Sequence, residues 1–283
     1  LYAEDPAKGF LPSVGRLEHF NLPPKTTPGD RIETGYEEGA EVTPFYDPMI
    51  AKIVAHRASR EAAIAALALD CADVISWPVK TNAGFLWRAL EHPRFQAGDV
   101  DTSLISDEAV ELTPEEAPSE NALDAAASEM AKVAGPMNAL AGFRLNAERK
   151  PLIFQLTANG VPATVTYDPA FAGASRWAER VGGGVLVNDL GTTYLFVEAR
   201  ASRSTGGSTS DGALIAPMPG KVTSVDVSEG EQVSKGQRLL TLEAMKMEHA
   251  MVAPFDGVVA ELNVEAGAQV QVEAVLARVE AVT

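Results

Sequence analysis

A lysine between two methionines is the feature of this sequence that most directly suggests chemistry. Lys246 stands between Met245 and Met247, and Ala244 precedes them. A lysine amine has an ordinary pKa of about 10.4, so it is almost wholly protonated at neutral pH and acylates only when a dedicated enzyme presents it to an activated acyl group. Methionines at a surface turn gain nothing by burial, which indicates that another protein contacts them. The alternative is an ordinary solvated lysine.

The sequence around Lys246 is a tandem duplication, which is visible when the chain is shifted by 37 positions. Each copy has turn glycines between valine-rich strands, so one copy alone would leave an apolar face exposed. Two copies packed face to face bury both faces, and we therefore predict a duplicated, flattened β-barrel over residues 213–283. Lys246 would lie at the tip of the hairpin that joins the copies. Ten identities recur: Ala216/Ala253, Pro217/Pro254, Gly220/Gly257, Val222/Val259, Val227/Val264, Gly230/Gly267, Gln232/Gln269, Val233/Val270, Leu239/Leu276 and Glu243/Glu280.

The first 107 residues predict an α+β segment. An apolar run at residues 49–55 is typical of a buried strand, and residues 59–74 have helical spacing with Ser59 as the N-cap. A second helix should begin after Thr81 or Asn82, one of which would cap it. The acidic, proline-bearing residues 108–118 then indicate a linker and a domain boundary.

The middle of the chain, residues 108–200, predicts one helix followed by antiparallel strands, which together favour a small helix-plus-β-barrel domain. No catalytic constellation stands out there, so a structural or docking role is favoured. Residues 201–212, rich in glycine and serine, indicate a flexible tether with an end-to-end distance of about 19 Å. The chain as a whole is thus multidomain α+β. The helix is expected at residues 120–133, and the strands at residues 142–146, 151–158, 161–167, 185–189 and 192–199.

The composition excludes several functions. With 39 acidic and 23 basic residues the net charge is -16, which disfavours nucleic acid and anionic membrane surfaces. No uninterrupted apolar stretch reaches the ~18 residues of a membrane-spanning helix. A single cysteine, Cys71, forms no internal disulfide, and the four histidines lack metal-ligand spacing, so we expect a reducing compartment and no structural metal. The first residues do not resemble a natural N-terminus, and we expect a fragment of a longer protein.

The motif Glu243-Ala244-Met245-Lys246-Met247 within a duplicated barrel resembles the biotin-attachment motif of biotin-dependent carboxylases. The resemblance implies a biotin amide-linked to Lys246, with the neighbouring Ala244, Met245 and Met247 as part of the cofactor-binding site. It also implies a biotin protein ligase that recognises the folded hairpin. The amide removes the lysine charge and lengthens the arm. The biotin ring then carries a carboxylate on a ureido nitrogen between two active sites, which gives the tether its purpose.

The front segment resembles the C-terminal portion of a biotin carboxylase domain. The resemblance implies that Arg31 is catalytic and faces the biotin ring, where a fixed guanidinium stabilises the enolate-like oxygen formed when the ureido nitrogen loses its proton. The alternative is a surface arginine at the start of a strand. The matching motifs are Tyr2-Ala3-Glu4-Asp5-Pro6, Leu11-Pro12-Ser13-Val14-Gly15, Arg31-Ile32-Glu33-Thr34-Gly35, Pro44-Phe45-Tyr46-Asp47-Pro48-Met49-Ile50-Ala51-Lys52 and Lys80-Thr81-Asn82.

Taken together, the motifs resemble the biotin-containing (α) subunit of an acyl-CoA carboxylase. In that family the ATP-grasp elements that bind ATP and Mg²⁺ precede the point where this sequence starts. The middle segment resembles the docking domain for the carboxyltransferase (β) subunit, which implies a hetero-oligomer whose partner binds the acyl-CoA. The run Met245-Lys246-Met247-Glu248-His249 is more similar to that of 3-methylcrotonyl-CoA carboxylase than to that of propionyl-CoA carboxylase. The resemblance thus implies 3-methylcrotonyl-CoA as the substrate, with propionyl-CoA and acetyl-CoA as alternatives. The family implies the cytoplasm in a bacterium and the mitochondrial matrix in a eukaryote.

Two other functions fit the duplicated barrel. A lipoyl carrier of a 2-oxo-acid dehydrogenase shares the barrel, but it usually has Asp-Lys-Ala where this chain has Met245-Lys246-Met247, and it lacks the front segment. A pure adaptor would use the barrel for protein contacts and carry no modification. The mass of the intact protein from its native source distinguishes biotin, lipoate and no modification.

Overall fold

The computed structural model describes residues 1–25, 27–132, 152–167, 177–199, 212–244 and 247–281. The chain forms two compact units: Leu1–Phe10, Arg16–Ala40 and Ile50–Arg203 form the first, and Leu11–Gly15, Glu41–Met49 and Ser204–Thr283 form the second. The predicted strand at residues 142–146 and residues 201–211 of the predicted tether lie outside the described residues. Within the described ranges, no helix is long and apolar enough to cross a membrane.

The front segment consists of short strands and helices. Strands β4 and β8 pair antiparallel, as do β5 and β7. The strands are β1 (Glu4–Asp5), β2 (Leu11–Pro12), β3 (Gly15–Arg16), β4 (His19–Asn21), β5 (Arg31–Thr34), β6 (Glu41–Val42), β7 (Ala51–Val54) and β8 (Ile75–Trp77). The helices are a short 3-10 helix (Pro6–Lys8), α1 (Arg60–Ala72), α2 (Ala83–Glu91) and α3 (Pro93–Ala97).

Helix α1 begins where the sequence predicts. The Ser59 hydroxyl caps it by accepting a hydrogen bond from the backbone N–H of Ala62 at 3.2 Å. One face of the helix, including Ile64 and Cys71, is buried against Leu90 of α2. Helix α2 begins at the predicted position, but the side chain of its N-cap residue does not cap it. Its N-cap residue, Asn82, makes no side-chain cap bond, because its Oδ1 accepts from the N–H of Tyr2 at 2.9 Å.

The acidic stretch predicted as a linker is partly helical. Helices α4 (Leu104–Asp107) and α5 (Ala109–Leu112) flank its start. Leu104 and Leu112 are buried in a cluster with Phe85 of α2, and Leu112 is only 1 % exposed. Two isolated leucines in an acidic, proline-bearing sequence give no helical periodicity, so this contact could not be predicted locally.

The middle segment is one helix on a five-stranded antiparallel sheet. The order in the sheet is β10-β9-β13-β12-β11 in the numbering given below. Alanines on the buried face of the helix allow it to lie close to the sheet, where Phe196 is fully buried. The helix and four strands confirm the predicted elements, and β11 was not predicted. The elements are α6 (Glu120–Ala131), β9 (Leu152–Ala158), β10 (Val161–Tyr167), β11 (Trp177–Val181), β12 (Gly184–Asp189) and β13 (Thr192–Glu198).

The duplicated segment forms two four-stranded sheets, ordered β14-β21-β19-β16 and β18-β17-β15-β20. A shift of 37 residues maps the bounds of β15, β16 and β17 onto those of β19, β20 and β21, and it converts one sheet order into the other. The sequence duplication is therefore a structural one. The strands are β14 (Ala213–Ile215), β15 (Gly220–Val225), β16 (Gln232–Val233), β17 (Arg238–Ala244), β18 (Met247–Val252), β19 (Gly257–Leu262), β20 (Gln269–Val270) and β21 (Val275–Ala281).

The two sheets share their hydrophobic interior. Leu239 of β17 is buried in a cluster with Val259 of β19, which belongs to the other sheet. Its repeat counterpart, Leu276 of β21, is buried in a second cluster with Val222 of β15. Each sheet thus contributes its leucine to the cluster of the other. Both leucines are completely buried, so neither half is stable without its partner.

Candidate functional site

The predicted acceptor lysine lies between two paired strands. Strands β17 and β18 are antiparallel, and their last pair joins Ala244 to Met247. Met245 and Lys246, which stand between these two residues in the sequence, lie outside the described residues. Ala244 is 7 % exposed and belongs to the cluster that contains Leu276. The strands that present the lysine are therefore fixed by the interior of the domain up to the residue before Met245.

A glycine beside the acceptor strand shows how tightly this end of the domain is built. A Cβ at Gly220 of β15 would lie 2.6 Å from the carbonyl oxygen of Glu243 and 3.2 Å from Cδ1 of Leu242. Strand β15 can pass β17 at this distance only because the residue has no side chain. Strand β17, which leads to Lys246, is consequently held both by the neighbouring strand β15 and by the interior of the domain.

Open space lies next to the acceptor strand. In the second unit, a cleft of about 650 Å³ is bordered by Gly220, Glu243 and Ala244 of the duplicated segment. Its other walls include Val14 and Phe45, and Phe45 is 85 % exposed. The residues leading to Lys246 thus have room beside them for a bulky attached group, which fits a lysine that carries a cofactor.

Arg31 is on the surface of the first unit. It begins β5 and pairs with Val54 of β7. Its side chain is 64 % exposed, and its Nε lies 3.6 Å from Oε1 of Glu33. An exposed ion pair of this length contributes little to stability. The guanidinium is therefore available to contact a substrate, although an ordinary surface arginine would have the same surroundings.

The residue before Arg31 is firmly held. The Asp30 carboxylate accepts hydrogen bonds from Nη1 of Arg57 at 2.5 Å and from the backbone N–H of His56 at 3.0 Å. The hydrogen bond from Arg57 is the main reason that the pKa of Asp30 lies below its ordinary value of 3.8, and the backbone bond acts in the same direction. These contacts fix the start of β5 and hence the backbone of Arg31.

A cluster of possible metal ligands lies elsewhere in the first unit. One imidazole nitrogen of His92 and one carboxylate oxygen from each of Glu108 and Glu111 lie within 4.8 Å of one another. Sequence spacing gave no sign of it, because His92 lies between α2 and α3 whereas Glu108 and Glu111 belong to the start of α5 and to α5 itself. Arg94 already pairs with Glu108 at 3.2 Å, and Nε2 of His92 faces Glu111 at 3.7 Å. Glu108 is thus already paired with an arginine, and we assign no metal to the cluster.

The two predicted functional centres belong to different units. Arg31 is part of the first unit, and the strands around Lys246 are part of the second. Each is built by residues of its own unit.

Comparisons with known proteins match both ends of the chain. The family model for the biotin carboxylase C-terminal domain matches residues 1–107, and the model for biotin-requiring enzymes matches residues 212–279. The mitochondrial methylcrotonoyl-CoA carboxylase subunit alpha of Dictyostelium discoideum is 33% identical over 88% of this chain and 43% of its own length. The propionyl-CoA carboxylase alpha chain of Ruegeria pomeroyi is 30% identical over 88% of this chain and 46% of its own length. The chain thus spans less than half the length of these relatives.

Proposed function

Because this chain carries a biotin carboxylase C-terminal domain and a biotin-lipoyl domain, and is homologous to α subunits of methylcrotonoyl- and propionyl-CoA carboxylases, we propose that it is the C-terminal part of a biotin-dependent acyl-CoA carboxylase subunit. The observation that carries the proposal is the structural duplication. Strands β17 and β18 pair up to Ala244 and Met247, and the lysine stands between these two residues in the sequence.

In this proposal Lys246 holds biotin through an amide bond to its Nζ. Bound biotin supplies a ureido nitrogen that carries a carboxylate group between a carboxylase site and a carboxyltransferase site. The paired strands β17 and β18 hold the chain on both sides of the lysine, and the cleft beside Ala244 leaves room for the ring. A biotin protein ligase would recognise Met245 and Met247.

For Arg31 we propose a catalytic role in the carboxylase half-reaction. Its exposed guanidinium can donate hydrogen bonds to the ureido carbonyl oxygen of biotin as negative charge develops there. The hydrogen bonds that Asp30 accepts from His56 and Arg57 support this role, because they hold the backbone beside Arg31 and so reduce the freedom of the arginine. ATP and Mg²⁺ would bind in the upstream part of the subunit.

The acyl-CoA would be bound by a separate carboxyltransferase (β) subunit, so we propose a hetero-oligomer. The middle segment, residues 108–200, would be its docking domain, a helix-plus-barrel. The duplicated segment would be a flattened barrel. We propose 3-methylcrotonyl-CoA as the substrate, ahead of propionyl-CoA and acetyl-CoA, and a location in the bacterial cytoplasm or the mitochondrial matrix.

The first experiment tests the carrier. The chain is co-expressed with a biotin protein ligase, and its intact mass is compared with that of Lys246→Arg. We expect one biotinyl group on the parent chain and none on the variant, whereas Lys221→Arg and Lys235→Arg should remain biotinylated. A lipoyl group in the native protein would favour the 2-oxo-acid dehydrogenase carrier. The absence of any modification in the native protein would favour an adaptor.

The second experiment tests whether the chain can carboxylate its own biotin or needs a separate biotin carboxylase. The biotinylated chain is mixed with ATP, Mg²⁺ and labelled bicarbonate, and no label should appear on biotin, because these 283 residues contain no phosphate-binding glycine loop. An intact biotin carboxylase added in trans should restore labelling. Label transfer by the chain alone would contradict the proposal. Reconstitution with the cognate carboxyltransferase and each of the three thioesters then identifies the acyl group.

A further inference from the structure

The turn between β12 and β13, residues 188–193, is buried against the front segment. We call it the anchor turn. Hairpin turns with polar residues normally face water, but Asn188 is only 4 % exposed and Thr193 only 5 %. Both residues and their partners belong to the first unit. The match to the biotin carboxylase C-terminal domain ends at residue 107, so the turn belongs to the segment beyond that domain.

Asn188 is bonded on both of its polar atoms. Its Nδ2 donates to the backbone carbonyl of Ala72, at the end of α1, at 2.8 Å. Its Oδ1 accepts from the backbone N–H of Gly191 at 3.1 Å. One side chain therefore closes the anchor turn and binds it to the carboxylase segment. An alanine here would leave a buried carbonyl and a buried N–H without these partners.

Thr193 makes the second polar connection. Its hydroxyl oxygen accepts from the backbone N–H of Ser76 in β8 at 3.4 Å, and its carbonyl accepts from Nζ of Lys80 at 3.5 Å. The Lys80 ammonium is largely buried and also lies 5.9 Å from the ring of Tyr194. Contacts from α1, β8 and the segment before α2 thus all converge on one turn.

Glycines on both surfaces allow the close approach. A Cβ at Gly191 would lie 2.7 Å from the carbonyl oxygen of Cys71 and 2.9 Å from the backbone nitrogen of Gly84. A Cβ at Gly84 would in turn lie 2.4 Å from Oγ1 of Thr192. A side chain at either position would therefore clash with the opposite surface. The anchor turn and the front segment therefore pack closely against each other, as a fixed junction requires.

The connection that leads into α6 is tied to the same region. The backbone N–H of Ser119 donates to Oδ2 of Asp189 at 3.1 Å, and the hydroxyl of Tyr194 donates to the carbonyl of Glu115 at 2.9 Å. The chain that enters α6 is consequently held against the anchor turn.

We propose that the anchor turn fixes the origin of the chain that leads to the carrier, and that Asn188 and Thr193 are positioning residues for the carboxylation of biotin on Lys246. Strand β13 runs from the anchor turn to Glu198, and the predicted tether follows from residue 201. A tether that starts from a fixed point confines the attached biotin near the carboxylase site and raises its effective concentration there. This inference rests on the proposed carrier function.

The test compares linked biotin with free biotin in a subunit that includes a complete biotin carboxylase region. The variants are Asn188→Ala and the shape-conserving Thr193→Val. Thr164→Ala is the matched control, because among the described residues its hydroxyl donates to Oε1 of Gln155 alone, on the exposed side of the same sheet at 3.0 Å. For each protein, the ATP-dependent carboxylation of Lys246-linked biotin and of added free biotin is measured with labelled bicarbonate.

We expect both anchor variants to lose about tenfold or more in carboxylation of linked biotin while free biotin is carboxylated within about twofold of the parent rate. The control should change neither rate. Hydrogen exchange at residues 71–76 and 188–193 reports whether the anchor turn has opened. An open turn with an unchanged linked-biotin rate overturns the proposal. Equal losses for both forms of biotin also overturn it, because they show that Asn188 supports the carboxylase site itself. A parent protein that takes no biotin would instead contradict the carrier function.

Discussion

Gly220 and Gly257 occupy equivalent places in the two halves of the duplicated segment, 37 residues apart, and each is crossed at close range by a neighbouring strand. A Cβ at Gly220 would lie 2.6 Å from the carbonyl oxygen of Glu243, and one at Gly257 would lie 2.3 Å from the carbonyl oxygen of Glu280. Glu243 and Glu280 are themselves a repeat pair. The same steric constraint is therefore present twice, once beside the acceptor strand and once at its counterpart.

Replacing either glycine by alanine should destabilise the domain by a similar amount. The added methyl group meets backbone rather than a flexible side chain, so we expect a loss of about 2 kcal/mol in the free energy of unfolding for each variant. Gly220→Ala should also slow biotinylation, because it displaces the strand that leads to Lys246. Gly35→Ala, at a position with no atom within 4 Å, is the control and should be nearly neutral. Chemical denaturation measures all three.

Met245 and Met247 should matter for recognition and not for stability. Replacement of either by leucine keeps the apolar volume, and we expect a melting temperature nearly equal to that of the parent chain together with slower biotinylation by the ligase. Calorimetry and a timed streptavidin blot measure the two effects. A loss of several kcal/mol in stability would show instead that the methionines belong to the hydrophobic interior.

Arg31→Ala should reduce ATP-dependent biotin carboxylation about 10²- to 10³-fold in a subunit with a complete carboxylase region, as expected when one preorganised donor is removed. Because the ion pair that Arg31 makes with Glu33 is exposed, stability should change by less than about 1 kcal/mol. Glu33→Ala is the matched control, since it removes the ion pair and keeps the arginine, and its rate should stay within about twofold of the parent. Parental turnover in Arg31→Ala would show that Arg31 is an ordinary surface arginine without a catalytic role.

The Asp30–Arg57 pair should give the front segment an acid-sensitive contribution to stability. Hydrogen bonding from Arg57 lowers the pKa of Asp30, so the folded state favours the carboxylate. The contribution is complete above the ordinary pKa of 3.8 and is lost as the pH falls through the lowered value. Asp30→Asn should therefore lower the melting temperature at neutral pH, and the difference from the parent should shrink below about pH 3.8.

The matched test of that pair is a double-variant cycle. Arg57→Gln should lower the melting temperature in the same way, and Asp30→Asn combined with Arg57→Gln should cost less than the sum of the two single changes. Additive losses with an unchanged pH profile would show that the two side chains act independently.

The buried thiol of Cys71 should be chemically inert in the folded protein. Burial raises its pKa to about 12, so the thiolate fraction at pH 8 is about 10⁻⁴. We expect no reaction with a disulfide reagent over an hour at that pH, and one thiol released per chain once guanidinium unfolds the protein. Prompt stoichiometric reaction without denaturant would show that α1 opens readily or that the thiol is accessible.

Local sequence signals predicted much of the fold. Ser59 caps α1 as expected, since an N-cap acts within three residues. The repeat predicted the two related halves, because the shift of 37 residues applies equally to the sequence and to the strand bounds. For the acceptor, the sequence predicted Lys246 between the halves, and the structure defines its flanking strands. The roles of Lys246, Arg31 and the two methionines remain predictions.

Long-range contacts could not be predicted. Asn188 and Ala72 are 116 residues apart, and nothing in a turn sequence shows which carbonyl a buried asparagine will bind. Leu112 is fully buried although its neighbours are acidic, because Phe85 and Leu104 happen to meet there. Periodicity reports which face of an element is apolar, whereas these contacts depend on which elements become neighbours.

The strand order of the duplicated segment also determines where its two chain ends meet. Strand β14 pairs with β21, and the N–H of Val279 donates to the carbonyl of Gly212 at 2.9 Å. Ala281, at the end of β21, is the repeat counterpart of Ala244, so a short peptide joining Ala281 to the residues before Gly212 would copy the acceptor hairpin. The domain is thus suited to circular permutation: its ends can be closed and the chain opened at a distant loop while both strands that flank Lys246 stay intact.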